Sequence, residues 1–240
     1  MRPRSTARAI AIATLLTATL GRSAFGQQAV LAASGATELD SATQAALARD
    51  FGQARARGLP VEALVAKVRE GRIKRARPDR IRSAVAALAV RLDSARAALG
   101  TASNPSELVA GADALGAGAD LAALRAVRAA SGARDVAAPL GALAQLVATG
   151  VPSRRATQMI LELVRRDAPP DRVLAFGVAV ETDVGTGLPA TEAAVFRMRQ
   201  IEATLNGGDR ATLSTGPVSP ATGGGYTTVD RNSPPPKRRP

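Results

Sequence analysis

The chain has no cysteine, no histidine and no tryptophan, and a single tyrosine, Tyr226. Without thiols or imidazoles there are no disulfides, thiol nucleophiles, thiolate or imidazole metal sites, or histidine general bases. Aromatic residues make up 2% of the sequence, and Phe51, Phe176 and Phe196 are the only phenylalanines beyond residue 26. That scarcity argues against sugar binding, and against single-stranded nucleic acid, which is normally held on stacked aromatic rings. It also means that the core is built from Leu, Val, Ile and Ala, which bury less apolar area per residue than aromatics do and imply modest stability. Lysine is scarce too, with Lys67, Lys74 and Lys237 the only three among 32 basic residues.

What is present is enough for a core: 240 residues, 46% of them hydrophobic. The formal charge of +12 suggests an anionic partner until it is divided along the chain. Residues 1–26 carry +4 and residues 207–240 carry +3, which leaves +5 for the 180 residues between, spread over many helical turns. A polyanion-binding surface gathers its charge on one face, and the spacing here does not force that.

Residues 1–26 read as a secretory signal peptide: Arg2, Arg4 and Arg8, an apolar run from Ala9 to Leu20, then small residues around Ser23, Ala24 and Gly26. The run is too short to span a bilayer, which takes about 20 residues, and no later stretch is apolar enough. Cleavage after Gly26 would deliver an exported protein with no membrane span to the periplasm or the exterior. Residues 27–37 read as a linker, 38–206 as an all-helical domain and 207–240 as a disordered Gly/Pro/basic tail that ends Pro234-Pro235-Pro236-Lys237-Arg238-Arg239-Pro240.

The domain is organised around a recurrence. Gly58-Leu59-Pro60 returns as Gly150-Val151-Pro152, and Pro78-Asp79-Arg80-Ile81 returns as Pro170-Asp171-Arg172-Val173, at the same internal spacing. Residues 58–92 and 150–184 are therefore read as copies of one helical hairpin. Gly supplies a left-handed helix stop, Pro an early position in the next helix, and Asp a first-turn charge favoured by the helix dipole. Ile81, Ala84, Val85, Leu88 and Leu92 form a buried stripe matched by Val173, Phe176, Gly177, Val180 and Val184. The first helices agree less well: Leu64 and Val68 meet Ala156 and Ile160, but Ile73 meets Arg165.

Elsewhere Ser41-Ala42-Thr43-Gln44 predicts a helix start, and so does Asn104-Pro105-Ser106-Glu107. Gly187-Leu188-Pro189 restarts the chain a third time, with Ala194, Met198, Ile201 and Leu205 on one face, and Asp209-Arg210 falls where a further turn would be due. The expectation is an all-α fold of about nine helices in antiparallel hairpins, arranged as an irregular array or bundle rather than a regular solenoid.

Three constellations compete for a function. The carboxylates Asp167, Asp171, Glu181 and Asp183 are the only acid-base candidates for a hydrolase, and they lack a third group. Gly116-Ala117-Gly118-Ala119-Asp120 resembles a phosphate loop but has no preceding strand, so it reads as helix punctuation. Arg72, Lys74, Arg75, Arg77, Arg80 and Arg82 form the densest basic cluster, a candidate anion-binding turn, with a thinner counterpart in Arg154, Arg155, Arg165 and Arg166. No cofactor or metal site is expected. The preferred reading is a non-enzymatic interaction or structural module of the cell envelope whose partner is another protein, with an anionic polymer as the alternative.

Overall fold

In the computed structural model, residues 29–207 are described, and every regular element among them is helical. Residues 29–34 are helical and lead through a 3-10 turn, Ala36–Glu38, into nine helices: α1 (Ser41–Ala56), α2 (Val61–Ile73), α3 (Pro78–Leu99), α4 (Pro105–Ala117), α5 (Leu121–Ser131), α6 (Ala137–Ala148), α7 (Ser153–Arg165), α8 (Pro170–Gly185) and α9 (Ala190–Gly207). The expected signal peptide, and residues 208–240 of the expected tail with Asp209-Arg210, lie outside the described residues.

The Gly-x-Pro turns share one course. Gly58, Gly150 and Gly187 have φ of 66°, 102° and 104°, a region open to glycine because it lacks a Cβ. The next amide then bonds back across the helix end, from Leu59, Val151 and Leu188 to the carbonyls of Ala54, Leu146 and Asp183 at 2.8, 3.0 and 3.1 Å. Each proline stands one residue before its helix rather than inside it. Its ring presets φ while its carbonyl takes an early helical bond, as Pro152 does from the Ala156 amide at 2.9 Å. Pro78 and Pro170 do occupy the first helical turn, as expected.

The two recurrent segments also agree where the sequence hides it. Arg75 and Asp167, 92 positions apart, are the only non-glycine residues among those described with positive φ, at 51° and 52°. The amides that follow, Ala76 and Ala168, bond to Gly71 and Leu163 at 2.8 and 3.0 Å. The weak match of Ile73 with Arg165 has a simple cause: both lie exposed at the helix end, where packing selects nothing. Gly177 stands where the first segment has Val85, because the Gln145 side chain fills the space a Cβ would take.

Two corrections concern the N-terminal region. α1 is capped by Asp40, whose carboxylate accepts from the Thr43 amide at 2.9 Å, and not by Ser41. The expected linker is ordered from residue 29: Ser34 and Ala36 are buried, Arg69 donates twice to the Ala33 carbonyl at 2.8 and 2.6 Å, and Arg72 pairs with Glu38. Small residues read as linker because they carry no periodic signal, yet they are what lets this segment lie close against α2.

The helices stack by next-but-one contact: α1, α3, α5 and α7 pack in succession, and so do α4, α6 and α8. The result is a two-layered array of hairpins. Starts at Pro105, Leu121, Ala137, Ser153 and Pro170 fall sixteen or seventeen residues apart, so its middle is more regular than the Gly-x-Pro spacing implies. That regularity is masked because its turns use different chemistry, Gly118 with Asp120 at one and Gly132 with Val136 at the next.

Two apolar clusters fill the space between layers. One joins Leu47, Phe51, Leu64, Val85 and Leu92 to Leu108 of α4, and the other joins Leu99 of α3 to Leu124, Leu140, Leu143, Ile160, Phe176 and Ile201. Each fully enclosed Leu or Val contributes about 1.5–3 kcal/mol. α3, 22 residues long, and α4 feed both clusters and hold them together.

Candidate interaction surface

The carboxylate candidates do not form a site. Asp183 is fully buried and held by Arg197 of α9, while Glu181, two positions away, is exposed and accepts from Gln145 Nε2 at 2.5 Å. Two residues along a helix turn the side chain through roughly 200°, so this pair is split between core and surface. Asp167 is exposed and paired with Arg134, and Asp171 is an exposed first-turn residue. Among the described residues no group of three carboxylates is placed to hold a metal ion. The Gly116–Asp120 stretch is punctuation: Gly118 ends α4 in the left-handed region and Asp120 caps α5, accepting from the Ala123 amide at 2.7 Å.

The basic turn is more neutralised than its sequence implies. Lys74 pairs with Glu70 at 2.5 Å, Arg77 with Asp79 at 3.2 Å, and Arg72 with Glu38. Lys67 joins Lys74 on Glu70, and these hydrogen bonds pull the Glu70 carboxyl down to about 2. The Thr43 hydroxyl and amide hold the Asp40 carboxyl below its ordinary value, and Arg82 nearby adds a smaller pull in the same direction. Arg75 and Arg80 remain exposed with no acidic partner among the described residues. The turn brings its cations together but leaves only part of their charge available.

Charge is sorted by layer, which the linear spacing did not require. α3, α5 and α7 carry Arg80, Arg82, Arg91, Arg96, Arg125, Arg128, Arg154, Arg155 and Arg165 against Asp79, Asp93 and Glu162. α4, α6 and α8 carry Glu107, Asp113, Asp171, Glu181 and Asp183 against Arg172 alone. Of those acids, Glu107 and Asp183 are buried, so the outer charges of this layer are Asp113, Asp171 and Glu181, with the half-buried Arg172 the one cation. Burial raises the Asp113 carboxyl, with Arg91 and Lys67 opposing the shift.

The same layer exposes apolar surface. Ile73, Val90, Leu121, Leu174, Val178 and Phe196 are the large hydrophobic residues open to solvent among those described, and only Leu174 and Val178 lie one turn apart on one helix. They are 44% and 52% exposed. Leu174 leans over Gly141 of α6, whose position would bring a Cβ to 3.6 Å from Leu174 Cδ2. Beside it α6, flanked by α4 and α8, offers Ala137, Gly141, Ala144 and Ala148 on its outer side, with the half-buried Gln145 among them turned toward Glu181 of α8. Phe196 is different: its ring carries the Arg197 guanidinium at 5.9 Å.

A cleft of about 290 Å³ between α7 and α9 had no sequence signal, because its walls, Arg155, Met159 and Glu162 against Met198, Arg199 and Glu202, are some forty residues apart. It is zwitterionic and open. None of its acids is buried against another, so it has the character of a helix–helix furrow.

Comparison with protein-family models, characterised proteins and solved structures finds no match to this chain. No helix among the described residues is long and apolar enough to cross a membrane.

Proposed function

We propose that this protein is a non-enzymatic interaction module of the cell envelope, exported by its N-terminal leader, that binds another protein through the outer face of α6 and α8. The observation that carries this reading is the pair Leu174 and Val178, exposed one turn apart beside the small residues of α6. Contiguous exposed apolar side chains are costly to leave in water and are characteristic of a surface that is covered in use. The separation of Glu181 from Asp183 further disfavours carboxylate catalysis.

The test is in-cell cross-linking with envelope fractionation of the wild type and of the double variant Leu174→Ser/Val178→Ser. A protein adduct in the envelope fraction that disappears in the variant, with unchanged helicity, supports the reading. An adduct that survives the substitutions removes this face from consideration, and a cytosolic location removes the envelope role.

A second reading, a polyanion-binding module, is favoured by the exposed Arg75 and Arg80, which have no acidic partner among the described residues, and by the arginines of α3, α5 and α7. It requires binding that collapses with salt and with charge reversal at Arg75, Arg77 and Arg80.

A further inference from the structure

Charge and shape around the α6–α8 face narrow what can bind there. We infer that the face takes a basic amphipathic helix of a partner protein, an inference that rests on the reading of α6 and α8 as the binding surface and adds the chemistry of its occupant.

Shape favours a helix. Ala137, Gly141, Ala144 and Ala148 keep most of the α6 outer surface close to its backbone, with Gln145 drawn to the α8 side by its hydrogen bond to Glu181, and small residues allow two helix axes to approach closely. The twelve residues of α6 offer about 18 Å of length, some three turns. Leu174 and Val178, at i and i+4, stand along one side of this strip and supply an apolar wall for a partner's own i, i+3, i+4 stripe.

Charge decides the sign. Asp113 on α4 and Asp171 and Glu181 on α8 are the exposed acids of this layer; α4 and α6 have no Lys or Arg, and α8 has only Arg172. The other cations near Asp113 are Arg91 and Lys67, reaching from α3 and α2. A helix whose apolar stripe is bordered by Lys or Arg gains attraction from these acids, whereas an acidic helix is repelled and the basic opposite layer of this molecule steers it elsewhere. An ammonium beside Asp113 would also offset the desolvation that its carboxylate carries.

The test is fluorescence anisotropy of a labelled Leu/Lys peptide of about 18 residues, five turns of helix, titrated with the full chain. Two controls share its length: one with Glu replacing Lys, and one with the same Leu and Lys in scrambled order. Binding of the Leu/Lys peptide is expected, weakened about tenfold in each control and in both Leu174→Ser/Val178→Ser and Asp113→Asn/Glu181→Gln. These positions are at the surface, so circular dichroism should be unchanged.

Equal binding of the scrambled peptide would reduce the effect to charge alone and overturn the inference. So would preference for the Glu peptide, or indifference to both double variants. Self-association in sedimentation that vanishes with Leu174→Ser/Val178→Ser, without peptide binding, would assign the face to a second copy instead. Tighter binding after removal of residues 208–240, with wild-type binding absent, would assign it to the chain's own Lys237-Arg238-Arg239 segment. If the peptide does not bind while the cross-linked envelope adduct depends on Leu174 and Val178, the partner's chemistry is wrong and the face stands; if both fail, both fall.

Discussion

Arg197 of α9 grips Asp183 of α8 with two hydrogen bonds, Nε to Oδ2 at 2.6 Å and Nη2 to Oδ1 at 2.7 Å, and both side chains are enclosed. Nη1 also donates to Gln200 at 3.1 Å. The pair lies at the start of the Gly187-Leu188-Pro189 turn, where the Asp183 carbonyl accepts from the Leu188 amide, so one residue sets both the turn and the docking of the next helix. Breaking it from either side leaves a buried charge unpaired. Asp183→Asn or Arg197→Met is expected to cost about 3–5 kcal/mol, and Asp183→Leu with Arg197→Met to recover most of that. Urea denaturation of the three variants checks it; additive losses would mean that the residues act independently.

Glu107 plays a comparable role in the middle of the array. Its Oε2 accepts from the Asn104 amide at 3.0 Å, and its Oε1 accepts from Arg128 at 2.5 Å and from the Val136 amide at 3.1 Å. One carboxylate thus closes the cap of α4 and fixes the entry to α6. Glu107→Gln is expected to cost about 1–3 kcal/mol, because an amide nitrogen replaces one acceptor and faces a donor, and Glu107→Ala to cost more. Hydrogen exchange should show the loss first at the Val136 and Asn104 amides, which the Glu107 carboxylate accepts from.

The paired left-handed residues give opposite expectations from the glycines. Gly58→Ala and Gly150→Ala should each destabilise by about 1–2 kcal/mol, since a Cβ is forced into that region. Arg75→Gly should be neutral or stabilising by up to about 1 kcal/mol, as strain relief exceeds the entropy cost of glycine. Asp167→Gly should gain less, since Asp tolerates this conformation and pairs with Arg134. Thermal melting ranks the four; destabilisation by Arg75→Gly would show that the arginine side chain is needed for the turn.

The carboxyl groups predict opposed pH effects. Burial raises Asp50 and Asp113 above the ordinary 3.8; each therefore binds its proton more tightly when folded, and stability is lost as pH rises through that range. Asp113→Asn should stabilise the protein at neutral pH, with the gain vanishing below about pH 3. Glu70 runs the other way: held at about 2 by Lys67 and Lys74 instead of 4.5, its contribution is present above 4.5 and lost as pH falls toward 2, and it is small because the pair is exposed and screened by salt. Melting curves of Asp113→Asn and Glu70→Gln across the acid range separate the two.

Much of the fold was legible because turn chemistry is local. Gly58, Gly150 and Gly187 mark helix ends by an intrinsic property of glycine, and Asn104 with Glu107 forms the expected reciprocal cap. Asp40 and Ser41 cap equally well in isolation, and only the register of the first turn decides for Asp40. Arg197 could not be read as core: it falls beside Met198 on the apolar stripe, and nothing local says that Asp183 waits for it. The sorting of charge by layer was hidden for a related reason. It depends on each helix packing with the next but one, a relation that no stretch of sequence contains. For the basic turn, nothing local signals Glu38 as the partner of Arg72, 34 positions away.

The most direct test of the interaction face is a photo-cross-linker placed singly at Ala144, Val178 and Glu181 on one layer, and at Ala122, Arg125 and Gln158 on the other, in the full chain in its native cells. The expected result is one protein adduct of the same mass from the first three positions and none from the second three. Adducts from Ala122, Arg125 and Gln158 alone, or no adduct from any position with the protein folded and exported, would contradict it.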